Sequence, residues 1–359
     1  MRELHVPKHQ IRDARVVDVD VDATSLAEGA ARLRIDRFAL TSNNVTYAAM
    51  GEGMLGYWDF FPAPDGFGKV PCWGFATVVA SNAPDVAVGA RFYGFYPVAE
   101  SLDVLPTRAG PRGFTDGAPH RAAKAAIYNQ YLNVAADPMY DVAFEPEQTL
   151  FRPLYATGWW AADCILASAP RTVVLSSASA KTALATAHRL RELGGATRVA
   201  LTSAANEAYV RDTGLYDRTV TYDDLEGLAA PGPVGFIDFL GREAVVDAVH
   251  RKFGDALVRS LIIGATDRGD RAGGVQPPRA PLPGAKPEFF FAPMYAAARM
   301  KADPDLGAAM LRDLVAFYPE SRALVAADVA TGADAILASW ARLVAGTVAP
   351  REGLVRGFV

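Results

Sequence analysis

The chain changes its hydrophobic rhythm partway along. In the first third, apolar and polar residues alternate. Ala31-Arg32-Leu33-Arg34-Ile35-Asp36 turns every second residue to one face, the pattern of a half-buried strand. Residues 74–81 and 90–95 read as two more strands, with Asn82, Pro84, Asp85 and Gly89 as turn residues between them. Residues 43–73, rich in glycine and aromatic side chains, read as a long functional loop, and residues 106–119, rich in Pro, Gly and Arg, as another.

From about residue 155 short apolar runs alternate with helix-length segments. The pattern predicts a helix to residue 166, a strand at 172–175, a helix at 180–193 and a strand at 198–202. A short helix at 205–212 and strands at 218–222, 234–239 and 258–263 follow, with a helix at 242–254 between the last two. Such alternation implies βαβ units and a parallel sheet with helices on both faces. Residues 268–287 read as a surface loop, 288–293 as a last strand, and the tail from 294 as helical, including 334–344.

The junction at Val173-Val174-Leu175-Ser176-Ser177-Ala178-Ser179-Ala180-Lys181-Thr182-Ala183 passes from a buried strand through tiny residues into a helix. A dinucleotide fold places its glycine fingerprint at such a point. Here Ser177, Ala180 and Ala183 keep the three-residue spacing without glycine. Ala183 suits close helix packing, Ala180 adds a methyl near a phosphate path, and Ser177 serves the turn only with negative φ. In compensation, Ser176, Ser177, Ser179 and Thr182 offer hydroxyls and Lys181 a charge, at a helix N-terminus that attracts anions. Equally, the small residues serve simply to pack the helix. A triphosphate P-loop is a poor match, because Ala180 and Leu175 stand where it needs glycines.

The next strand ends without an acid before Glu207. An acid there would hold the ribose hydroxyls of NAD. Ser203, Asn206 and Lys181 suit a 2′-phosphate instead, so NADP is the expected cofactor. Ser203 and Asn206 suit helix capping equally well.

Composition narrows the field. A length of 359 residues, half of them apolar, implies two globular domains. A formal charge of −4 offers no basic face to nucleic acid. No apolar run approaches the roughly 18 residues that span a bilayer. The polar start is unlike a signal peptide. With two cysteines, a disulfide framework and a four-cysteine zinc site are excluded, and the expected compartment is the cytoplasm. Five histidines show no metal-ligand spacing, so no metal is expected. No Gly-x-Ser-x-Gly elbow or Cys–His pairing supports nucleophilic catalysis.

A β-rich first part, a central dinucleotide-type part and a returning tail resemble the medium-chain dehydrogenase/reductase superfamily. Residues 33–44 resemble the strand and loop of its zinc-free quinone reductases. Asn43-Asn44-Val45-Thr46-Tyr47-Ala48, the turn from Ser177 to Ala183, and Phe289-Phe290-Phe291-Ala292-Pro293 resemble a bacterial domain-of-unknown-function branch. Where zinc alcohol dehydrogenases have Gly-His-Glu, this chain has Trp73-Gly74-Phe75. The resemblance implies an α/β protein: a GroES-like β-rich domain (1–140 and 294–359) and a Rossmann-type doubly wound parallel sheet (141–293).

It also implies zinc-independent, NADPH-dependent reduction of a small carbonyl, enone or quinone. Tyr47 and Asn44 are then the catalytic candidates, with Tyr57, Trp58 and Trp73 walling a substrate cleft. Ser177, Ser179, Ala180, Lys181, Thr182, Ser203, Asn206, Gly264 and Phe291 are assigned to the cofactor. The strand at 289–291 resembles one that pairs subunits, which implies a homodimer. The alternative is a non-redox binder or lyase on the same fold, with a pure interaction role third.

Overall fold

The computed structural model of the chain describes residues 1–20, 25–53, 55–263 and 281–359. Packing divides it into two compact units. One comprises Met1–Leu150 and Ser321–Val359; the other holds the described residues between Phe151 and Glu320. Residues 294–320 therefore belong to the second unit, not to the returning tail. No helix among the described residues is long and apolar enough to cross a membrane.

In the first unit, Ala31–Leu40, Pro71–Ser81 and Arg91–Pro97 pair antiparallel in a nine-stranded sheet. Alternation puts Leu33, Ile35, Val78 and Phe92 into one apolar core. Burying each such side chain is worth about 1.5–3 kcal/mol.

Residues 43–73 are not one loop. They hold most of the helix Ser42–Ala49, a 3₁₀ turn at Tyr57–Phe60 and the short strand Phe67–Lys69. Thr41 starts the helix: its hydroxyl accepts from the Asn43 amide at 3.3 Å, while its own amide donates to Asn44 Oδ1 at 2.7 Å. This reciprocal cap satisfies donors that a helix start leaves open.

Residues 106–119 also carry structure, a hairpin of Pro106–Gly110 and Gly113–Asp116. Asp116 Oδ1 accepts the amides of Leu105 and Ala118 at 3.0 and 3.1 Å. Its Oδ2 takes 2.9 Å from the buried Arg121, which also donates to Asn129 and Tyr131. The tail adds two unforeseen strands. Glu352–Gly357 pairs parallel with Ala326–Thr331 and antiparallel with Ala31–Leu40.

The second unit is built on six parallel strands: β1 (Thr172–Ser176), β2 (Thr197–Thr202), β3 (Arg218–Thr221), β4 (Val234–Asp238), β5 (Leu257–Ile262) and β6 (Pro287–Phe289). Their order is β3-β2-β1-β4-β5-β6. This is the Rossmann order, in which the strand order reverses between β1 and β4. Val174, Val199, Leu201, Val234 and Phe236 supply its apolar centre.

The helices are α1 (Glu145–Leu166), α2 (Lys181–Leu193), α3 (Glu207–Asp212), α4 (Glu243–Phe253), α5 (Ala292–Ala302) and α6 (Asp305–Leu324). α1 starts at Glu145 rather than 155 and carries Pro153 inside it. β6 ends at Phe289, and Phe291 is the N-cap of α5 rather than a strand residue. Pro293 explains the change: it lacks the amide a strand needs and suits the first turn of a helix.

Two histidines of the second unit are buried. His188 bonds Tyr155 at 3.1 Å, with Glu320 at 3.7 Å. His250 bonds the Pro283 carbonyl and the Ser260 hydroxyl, both at 3.0 Å. Desolvation lowers both pKa values below the ordinary histidine range. The unfolded chain therefore takes up these protons at higher pH than the fold does. Stability is complete above about pH 6.5 and is lost as pH falls through the depressed folded values. The unfolding free energy from urea denaturation is expected to fall between pH 7.5 and 5.5, by at most about 1.4 kcal/mol per pH unit for each histidine. In the His188→Gln/His250→Gln double variant this slope should flatten.

Candidate functional site

The strand ends at the topological switch point define the first candidate site. β1 delivers Ser176 and β4 delivers Asp238, both fully buried. Ser176 Oγ donates to Asp238 Oδ1 and accepts the Phe239 amide at 3.0 Å. Asp238 also accepts the amides of Leu240 at 3.1 Å and Gly241 at 3.0 Å. An aspartate can lie this deep because several donors face it.

Next comes the turn. Ser177 has φ +46°, the left-handed region that favours glycine. The expectation of negative φ at Ser177 is thus overturned: the backbone keeps the glycine conformation without glycine. A cost of about 1–2 kcal/mol is ordinary for such a residue. The Ala180 amide closes the turn on the Ser177 carbonyl at 2.8 Å. Ala180 is then the N-cap of α2, and its methyl makes no side-chain cap bond to the helix start.

Small size matters on the neighbouring helix as well. A Cβ at Gly158 of α1 would lie 2.8 Å from the Thr186 amide and 3.0 Å from the Thr182 carbonyl. Ala183 is fully buried.

Asn206 donates to Ser179 Oγ at 3.2 Å, bringing two of the assigned residues together. Neither Ser203 nor Asn206 makes a side-chain cap bond, so capping does not account for them. Two tyrosines that the sequence reading missed flank the turn. Tyr222 Oη accepts from the Ser177 amide at 2.9 Å, and Tyr216 Oη donates to the Ala178 carbonyl at 2.8 Å. They bracket β3, and Tyr222 stands just past its end. Gly264 lies outside the described residues.

The second candidate is an aromatic cluster in the first unit. Tyr47 and Tyr57 pack at 4.3 Å between ring centroids. Trp73 Nε1 donates to Tyr47 Oη at 3.3 Å, and the Tyr57 and Tyr128 hydroxyls meet at 3.1 Å. Phe95 stands 4.9 Å from Trp73 and 4.8 Å from Tyr128. Desolvation pushes the Tyr47, Tyr57 and Tyr128 phenols well above their ordinary range. They stay protonated and act as hydrogen-bonding groups, not as bases.

Two expected members of this site have other tasks. The Asn44 amide bonds the Pro71 carbonyl at 2.8 Å and its oxygen caps Thr41, so both ends serve the backbone. Trp58 belongs to the apolar core, its ring so close to Gly51 and Gly68 that a Cβ at either would overlap it.

A family profile described as "Protein of unknown function (DUF2855)" matches residues 38–349. The chain belongs to the DUF2855 family. Among curated proteins, no sequence matches this DUF2855 chain significantly. Solved structures are similar to it over the full length. The YhdH oxidoreductase of Salmonella enterica, in complex with NADP, is 16% identical with a TM-score of 0.60, covering 99% of each chain. CurA of Vibrio vulnificus, in complex with NADPH, is 12% identical with a TM-score of 0.65, covering 100% of this chain and 99% of its own. The CurK enoyl reductase is 12% identical with a TM-score of 0.59, over 99% of this chain and 98% of its own. The DUF2855 chain thus shares the fold of these three proteins. Among its described residues, no group of three or more His, Cys, Asp or Glu side chains could hold a metal ion.

Truncating Asp238 to Ala would strand the Ser176 hydroxyl and the Leu240 and Gly241 amides. Urea denaturation should show a loss of about 3 kcal/mol or more, against a smaller loss for Asp238→Asn.

Proposed function

We propose that this protein is a zinc-independent, NADPH-dependent reductase of a small carbonyl, enone or quinone. The observation that carries the reading is the turn after β1. It adopts the glycine-type conformation at Ser177 and leads to a helix N-terminus without a side-chain cap, beside the switch point. The residues there fit a pyrophosphate: small side chains, hydroxyls at Ser179 and Thr182, and the charge of Lys181. Ser203, Asn206 and Lys181 suit a 2′-phosphate, and no acid stands at the end of β2 before Glu207.

When bound, NADPH supplies a hydride to the substrate. Tyr47, protonated across the working pH range, donates a hydrogen bond to the substrate oxygen. Trp73 and Asn43 hold its hydroxyl oxygen in place. Tyr57, Tyr128 and Phe95 keep water from the phenol. A homodimer through β6, the edge strand of the parallel sheet, completes the reading. Sedimentation velocity at micromolar concentration should show a dimer.

Thermal unfolding with added NADPH tests the proposal. Saturation at about 100 times the dissociation constant should stabilise the protein by about 2.7 kcal/mol, with NADH weaker. Absence of any effect from either nucleotide defeats the reductase reading and favours the non-redox binder. With 1,4-benzoquinone or acrolein as probe substrate, Tyr47→Phe should cut turnover about a hundredfold and leave NADPH affinity unchanged.

A further inference from the structure

We infer that Tyr216 and Tyr222 together do the work of the missing first glycine, clamping Ser177 in the left-handed conformation and so positioning the turn for the cofactor. The inference rests on the dinucleotide reading of that turn and deepens it.

Non-glycine residues resist positive φ, and among the described residues only Arg108, Ala169 and Ser177 adopt it. Ser177 is held on both sides. Its amide is fixed by Tyr222 Oη at 2.9 Å, and the carbonyl of the next residue, Ala178, by Tyr216 Oη at 2.8 Å. The Ala178 amide is fixed in turn by the Leu201 carbonyl of β2 at 3.3 Å. Rotating the 177–178 backbone to a relaxed β or α conformation would break these bonds together. Desolvation keeps the Tyr216 phenol well above its ordinary range, so it remains a donor. Both tyrosines are positioning residues, acting through the main chain.

The clamp makes Tyr222 necessary only while residue 177 has a Cβ. The test is a double-mutant cycle of Tyr222→Phe and Ser177→Gly, read by NADPH fluorescence titration and by urea denaturation. In the Ser177 background, Tyr222→Phe should weaken NADPH binding about fivefold, the scale of one lost hydrogen bond. In the Ser177→Gly background the same change should cost under about twofold, with the stability effects coupled in the same sense. Tyr216→Phe should behave likewise.

Equal losses in both backgrounds would overturn the clamp and make Tyr222 a direct ligand contact or a mere packing residue. If the wild type binds no NADPH, the reductase reading fails, and with it any role of the clamp toward a cofactor. An uncoupled stability cycle would show that no clamp exists at all.

Discussion

The second unit is organised by a bond between strand ends. A parallel sheet whose strand order reverses between β1 and β4 opens a crevice there, because successive crossovers leave to either side. Ser176 and Asp238 tie the two ends together at that point. The aspartate then collects the amides of Leu240 and Gly241, which sets the course of the chain leaving β4. The path of the chain leaving β1 is set one residue later, at Ser177. These two exits shape the crevice between β1 and β4.

The sheet was legible in the sequence and the exits were not. Runs such as Val173-Val174-Leu175 and Val234-Gly235-Phe236-Ile237 are short, apolar and spaced by helix-length segments, so β1 to β5 stand where the pattern puts them. The signal fails where a contact far along the chain decides the conformation. Ser177 reads as an ordinary turn residue, and its left-handed backbone depends on Tyr222, 45 positions away. Asp238 reads as the end of a strand, and the only sign of its role is that an acid closes an apolar run. Phe291 reads as a strand residue but caps a helix for a local reason, since Pro293 favours the helix that follows.

The first unit shows the same division. Strict alternation located Ala31–Leu40 and its neighbours. Thr41 and Asn44 do not read as a cap, because the usual signature has a glutamate or glutamine in the reciprocal position. Glycine and arginine between residues 106 and 119 suggested a loop, whereas Arg121 anchors a hairpin from beneath through Asp116. The aromatic residues drew attention as a group but sort by neighbour. Tyr47, Tyr57 and Trp73 share one cluster, while Trp58 fills a slot that glycine leaves open.

Gly158 carries a consequence for recognising relatives of this fold. In the familiar fingerprint every obligatory glycine sits in the phosphate turn. Here the turn has no glycine, and Gly158 stands upstream in α1, where the backbone of α2 passes too close for any side chain. A search keyed to a glycine-rich loop will pass over such chains.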